Sequence, residues 1–138
     1  MLMTLAGENF AIEINKVREI IRVPKVTWIP GAASYIKGVF NLRGRVVAVI
    51  DLAVLISLPD SVPGDQSRIV IVDSKDGQVG ILVDSVSRVE EIVPSSIEQP
   101  MRTLDEKQRN FVIAQASING VMVGMLDIDQ IVEETRSA

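Results

Sequence analysis

The chain has 138 residues and a formal net charge of −4, with 14 lysines and arginines against 18 aspartates and glutamates. It contains no cysteine and no histidine, which excludes disulfides, thiol nucleophiles, zinc sites built on those residues and the commonest general base. The acidic balance, without any long basic cluster, argues against nucleic acid as a partner.

This length sets an expectation of one compact unit, with room for two small lobes on a common core. Valine (20) and isoleucine (17) far outnumber leucine (9), so the chain reads as β-rich. With three Phe, one Tyr and one Trp, the core must be aliphatic. The most apolar run, residues 46–58, is broken by Asp51 and is too short to span a bilayer. Residues 1–6 lack the positive region of a signal peptide. A cytoplasmic location is the expectation, and the absence of cysteine fits it.

Residues 2–6 and 10–14 read as strands around the turn Gly7-Glu8-Asn9, with Phe10, Ile12 and Ile14 alternating against Ala11 and Glu13. Asn15 is placed to cap a short helix over 16–22, on which Val17, Ile20 and Ile21 share a face. Residues 26–29 form a short strand closed by Pro30-Gly31. A hairpin follows around Leu42-Arg43-Gly44-Arg45, whose glycine tolerates a positive φ. Asp51 then sits at the N-cap of a helix over 52–56.

Residues 59–67 are polar and read as a loop. A third hairpin pairs 68–73 with 78–84 through Ser74-Lys75-Asp76-Gly77. Val86, Val89 and Ile92 have helical spacing, while 89–93 extends equally well as a strand. Pro94 and Pro100 bracket an irregular segment, and 101–109 is charged loop or helical turn. Residues 111–118 and 121–126 form the last hairpin about Asn119-Gly120, a type I′ turn pair. A terminal helix covers 128–134.

The chain repeats internally. A shift of 76 positions lays 41–56 on 117–132, so that Gly44 meets Gly120 and Asp51 meets Asp127. A shift of 69 lays Phe10, Ile12, Ile14, Asn15, Val17 and Ile20 on Val79, Ile81, Val83, Asp84, Val86 and Val89. Two similar units of short strands point to β-barrels rather than to a parallel sheet. Asp51 and Asp127 invite comparison with a catalytic carboxylate pair, but each ends a strand before a helix, where an N-cap belongs. A carboxylate-based enzyme is therefore the weaker alternative. Arg43 stands at a hairpin tip, where an arginine is ordinarily just exposed.

The stretch Gly38-Val39-Phe40-Asn41-Leu42-Arg43-Gly44, continued by Val46-Val47-Ala48-Val49-Ile50-Asp51-Leu52, resembles the signature of the CheW family, the adaptors of bacterial chemotaxis. The resemblance runs over residues 2–133. It implies a mainly β fold of two SH3-like five-stranded β-barrels sharing an aliphatic core, with short helices, in a single domain over 1–138 whose two lobes intertwine. It implies a non-enzymatic adaptor, without cofactor or metal, that couples the cytoplasmic tips of methyl-accepting chemotaxis receptors to the regulatory domain of a CheA-type histidine kinase. Such a protein is cytoplasmic and is recruited to membrane receptor arrays. A scaffold of another CheW-using pathway, such as pilus motility, is the alternative.

By the same resemblance, Val17, Glu19, Gly38 and Arg43 belong to the receptor-facing surface, and Glu19 and Arg43 are expected to form an ion pair. Val17 also fits a core position, and Gly38 a purely conformational one. The motif from Gly80 through Asp84, Val86 and Val89 is similar to the family's second-barrel pattern, which implies kinase-binding roles for Gly80, Val86 and Val89. All three would equally pack a barrel. Phe40, Ala48 and Ala114-Gln115 depart from the family pattern.

Overall fold

A computed structural model describes residues 1–58, 64–75, 77–89, 97–98 and 110–136. Residues 59–63 of the expected 59–67 loop, Asp76 of the third hairpin turn, Ile92, Pro94, Pro100 and the charged stretch 101–109 lie outside the described residues.

Local turn chemistry organises the chain into hairpins. Strands β1 (Leu2–Leu5) and β2 (Glu8–Ala11) are joined by Ala6-Gly7, β4 (Ile36–Leu42) and β5 (Arg45–Asp51) by Arg43-Gly44, and β10 (Val112–Ile118) and β11 (Val121–Leu126) by Asn119-Gly120. Both central residues of each turn have positive φ: 51° and 78°, 50° and 85°, and 52° and 79° in that order. This is the type I′ geometry whose twist matches that of paired strands. The first turn is therefore tighter than Gly7-Glu8-Asn9 suggested, and Glu8 and Asn9 belong to β2. Strands β6 (Arg68–Ser74) and β7 (Gly77–Val83) form the remaining hairpin.

Residues 16–22 are not a helix. A 3₁₀ turn over Ile14–Lys16 leads into strand β3 (Val17–Arg22), whose residues alternate half-buried and exposed along its edge of the sheet. The β-branched residues Val17, Ile20 and Ile21 favour the strand, and pairing with β6 supplies the backbone partners a lone helical turn lacks. The expected strand at 26–29 shrinks to one bridge, in which Thr27 and Val39 exchange N–H···O bonds of 2.8 and 2.9 Å. Residues 85–86 form the short strand β8 (Ser85–Val86), and β9 (Ile97–Glu98) pairs with β10.

Two sheets result. One has the order β3-β6-β7-β5-β4; the other has β8-β1-β2-β11-β10-β9. Apart from the added β9, they share one topology, and the registers show it residue by residue. Ile36↔Ile50 and Gly38↔Val49 in the first sheet match Val112↔Leu126 and Ala114↔Met125 in the second, including the bulge between the pairs. The parallel pair Val49↔Gly80 matches Met125↔Ala11. Val17↔Val72 matches Val86↔Met3. Each sheet draws strands from both halves of the chain, so the sequence repeat closes only by exchanging hairpins. The fold is mainly β, of two SH3-like units.

The helices α1 (Leu52–Leu55) and α2 (Ile128–Arg136) begin at Asp51 and Asp127. Asp51 Oδ1 accepts from the Val54 N–H at 3.4 Å and Asp127 Oδ1 from the Gln130 N–H at 3.1 Å; such caps stabilise a helix by about 1 kcal/mol. Their own N–H groups donate to the carbonyls of Tyr35 and Phe111, again 76 positions apart. Both carboxylates are thus engaged as the repeat-related caps expected of them.

A central apolar cluster joins the sheets: Met3, Leu5 and Phe10 of one, with Ile12 just beyond β2, meet Ile50, Val70, Val72 and Ile81 of the other, with Leu52, Ile128 and Ile131 from the helices and Ile56 at the end of α1. Burying each such side chain contributes about 1.5–3 kcal/mol. The five-stranded unit also has its own core of Phe40, Val47, Val49, Ile69, Ile71 and Leu82.

Candidate partner-binding surfaces

Edge strand β3 lies at one side of its sheet and β4 at the other. Glu19 on β3 and Arg43 on the β4–β5 turn nevertheless meet. Arg43 donates to both carboxylate oxygens of Glu19, Nη1 to Oε2 at 2.7 Å and Nη2 to Oε1 at 2.5 Å. A bidentate fork of this kind fixes orientation as well as distance. It can form only because the sheet curls until its two edges face each other, so the pair also marks the closure of the unit.

The Arg43 side chain keeps 72% of its surface exposed. Its donation holds the Glu19 carboxyl below the usual carboxylate range, and Glu19 in turn raises the Arg43 guanidinium. The αL backbone of Arg43, φ 50°, directs the tip of the turn, and Asn41 Oδ1 accepts from the Gly44 N–H at 2.8 Å to brace it.

Val17 lies on the opposite face of β3 from Glu19, because a bulge between them pairs Val17 with Val72 and Glu19 with Ile71, and it is half-buried against the central cluster. Gly38 is different. It is buried with φ 152°, and a Cβ there would overlap the Thr27 carbonyl and lie 2.6 Å from Val26 Cγ1. Its lack of a side chain lets the segment carrying Thr27 lie across β4. Glu19 and Arg43 therefore meet on one surface, Val17 turns from the same edge strand toward the central cluster, and Gly38 lies beneath a neighbouring strap.

Gly80 sits buried in β7, where a Cβ would come within 2.6 Å of Ile69 Cγ2. It serves the packing of the five-stranded sheet. Chain direction then carries β7 through Asp84 into β8, at the edge of the other sheet. Asp84 Oδ2 accepts from the Ala6 N–H at 2.8 Å, and the Thr4 and Ser85 hydroxyls are 2.6 Å apart. Val86 pairs with Met3 and packs half-buried on the central cluster. Val89 is 62% exposed. It borders an apolar depression of about 420 Å³ with Met1, Leu2, Ile14, Ile113 and Leu126.

Sequence reasoning placed Ile14 in a half-buried strand, yet it is exposed beside this depression. Ile113 was equally unforeseen, since the bulge between Val112 and Ala114 interrupts the alternation of β10. Trp28 and Val46 are also largely exposed. For Val46, the adjacent pair Val46-Val47 in one strand was the available signal, because one of the two must face outward.

The result is a duplicated β fold with an ion pair at one edge and an apolar depression beside the other, its repeat-related aspartates engaged as helix caps. The CheW-like domain pattern fits residues 1–136. The chemotaxis protein CheW of Bacillus subtilis is 40% identical over 92 residues, covering 67% of this chain and 59% of the relative; here the chain spans less than two thirds of its relative's length. The chemotaxis protein CheW of Klebsiella aerogenes is 32% identical over 140 residues, covering 100% of this chain and 83% of that one. The crystal structure of the scaffolding protein TtCheW from Thermoanaerobacter tengcongensis matches with a TM-score of 0.83 at 31% identity, covering 91% of this chain and 86% of that one. The chain belongs to the CheW-like domain family.

Proposed function

We propose that this protein is a CheW-type chemotaxis adaptor, acting without turnover of its own by holding a chemoreceptor cytoplasmic tip and the regulatory domain of a CheA-type histidine kinase in one assembly. Holding two partners together raises their effective concentration, and contacts that differ between signalling states let the receptor bias the kinase. The observation that carries this reading is the equivalence of β3 and β8. The two strands occupy matching positions, Val17↔Val72 and Val86↔Met3, in two sheets of the same topology. One domain over 1–138 thus offers two related edges to two partners. The edge with Val17, Glu19 and Arg43, shaped by Gly38, takes the receptor. The edge with Val86 and Val89, supported by Gly80, takes the kinase. No helix among the described residues is long and apolar enough to cross a membrane, which agrees with a cytoplasmic protein recruited to receptor arrays.

Reconstitution tests this reading. The protein is mixed with a purified kinase regulatory domain and a soluble receptor-tip fragment, and complexes are resolved by size-exclusion chromatography with light scattering. A ternary complex that needs this chain supports the adaptor role. Binding of the two partners in mutually exclusive complexes overturns it.

A further inference from the structure

Among the described residues, three hairpin turns pair a non-glycine residue of positive φ with a glycine, and each secures that residue differently. Asn119 belongs to a residue type that tolerates αL. Arg43 is gripped by Glu19, and the Asn41 side chain braces the glycine that follows. Ala6, with φ 51°, has no polar side chain to help it. Its N–H donates instead to Asp84 Oδ2 at 2.8 Å, from 78 positions away along the chain.

Asp84 stands at a junction. It is the single residue between β7 of the five-stranded sheet and β8 of the six-stranded sheet. Its own N–H donates to the Thr4 carbonyl at 3.0 Å. The pairing of β8 with β1 continues from the Ser87 N–H to the Leu2 carbonyl at 2.9 Å, and from the Leu2 N–H to the Arg88 carbonyl at 2.8 Å. The carboxylate extends this ladder one step further, onto the Ala6 N–H, where the backbone before Asp84 already belongs to the other sheet. Strand β8 has only two residues, so a charge-assisted bond at its start is a large part of what holds it. The repeat shows that this bond is particular to one edge. The 69-residue shift lays Asn15 on Asp84, yet Asn15 is exposed within the 3₁₀ turn that leads into β3.

We infer that Asp84 is the positioning residue of the kinase edge: its carboxylate locks the β1–β2 turn to the sheet crossover and so fixes how β8 presents Val86 and Val89. The inference rests on the adaptor function proposed above. Asp84 acts through β8 rather than by touching the partner.

Two measurements test it. In the unsubstituted protein, NMR should detect a scalar coupling across the hydrogen bond, from the Ala6 amide nitrogen to the Asp84 carboxyl carbon; its absence overturns the inference whatever the variants do. Calorimetry then compares variants against a purified CheA-type kinase regulatory domain and a soluble receptor-tip fragment. Asp84→Asn keeps an oxygen acceptor and should bind both partners within about threefold of the unsubstituted protein. Asp84→Ala should lose about tenfold in kinase affinity while receptor affinity stays unchanged. Adding Ala6→Gly, which takes positive φ without strain, should recover part of that loss. An equal loss toward both partners, no loss toward the kinase, or no recovery with Ala6→Gly overturns the inference and leaves the adaptor reading standing. Failure of the unsubstituted protein to bind the kinase domain overturns the adaptor reading, and the inference with it.

Discussion

Arg43 combines two constraints that are usually separate. Its backbone takes the αL conformation the turn requires, and its guanidinium grips Glu19 through both nitrogens. Reversing the charge as Arg43→Glu should lower affinity for a receptor-tip fragment, and adding Glu19→Arg should restore part of the loss. A double-mutant cycle by calorimetry reads the coupling, and a coupling near zero would show that the ion pair does not act in receptor binding, while leaving the receptor site itself standing. The pH dependence has a defined sign. Glu19 is held below the usual carboxylate range by Arg43, so the pair's contribution is complete above that range and fades as pH falls through the depressed value. An NMR titration of the Glu19 carboxyl should show the low midpoint, and Arg43→Gln should return it to the ordinary range.

At the scale of elements, hairpins were legible because their turn chemistry is local. Asn119-Gly120 and Arg43-Gly44 carry their geometry in the residues themselves. Both glycines have positive φ and open space where a Cβ would point, so a β-branched replacement is penalised by backbone strain alone. Gly44→Val and Gly120→Val should each cost about 1–3 kcal/mol, and by similar amounts if the repeat is as close as the registers show. Chemical denaturation of the two variants makes the comparison; a harmless Gly120→Val would contradict the type I′ turn.

Strand β3 was not legible. Val17, Ile20 and Ile21 fit a helix face as well as a strand, and the polar Glu19 occupies the side that a simple alternation reserves for apolar residues. Only its pairings, with β6 in the sheet and with Arg43 across the closure, decide the matter, and these are non-local. The ion pair itself was foreseen from charge and family resemblance. For Gly38 the conformational reading and for Gly80 the packing reading stood beside the binding roles, and local sequence could not choose, because the atoms that cover them come from Thr27 and Ile69.

For the whole molecule, the two proposed surfaces should be separable by substitution. Val89 is exposed and borders the depression, so Val89→Glu should weaken binding to a kinase regulatory domain by about tenfold or more without loss of fold, as expected for an apolar contact replaced by a buried charge. Receptor-tip affinity should be unchanged. Calorimetry on a variant with unaltered circular dichroism checks this, and unchanged kinase affinity would place the interface elsewhere.

The exchange of hairpins between the sheets also has a consequence for how the protein is made. While the ribosome has delivered only residues 1–58, β1 and β2 await β11 and β8, and β3 and β5 await β6 and β7. The nascent first half therefore holds open strand edges until the second half emerges, and such edges invite aggregation. Severing the chain between 58 and 64 should yield two fragments that are each unstructured by circular dichroism but regain the β spectrum when mixed. A fragment folding alone would show that one half carries a sufficient core. If only the mixture folds, the protein is a natural split pair, and its slow step in the cell is waiting for its own C-terminal half.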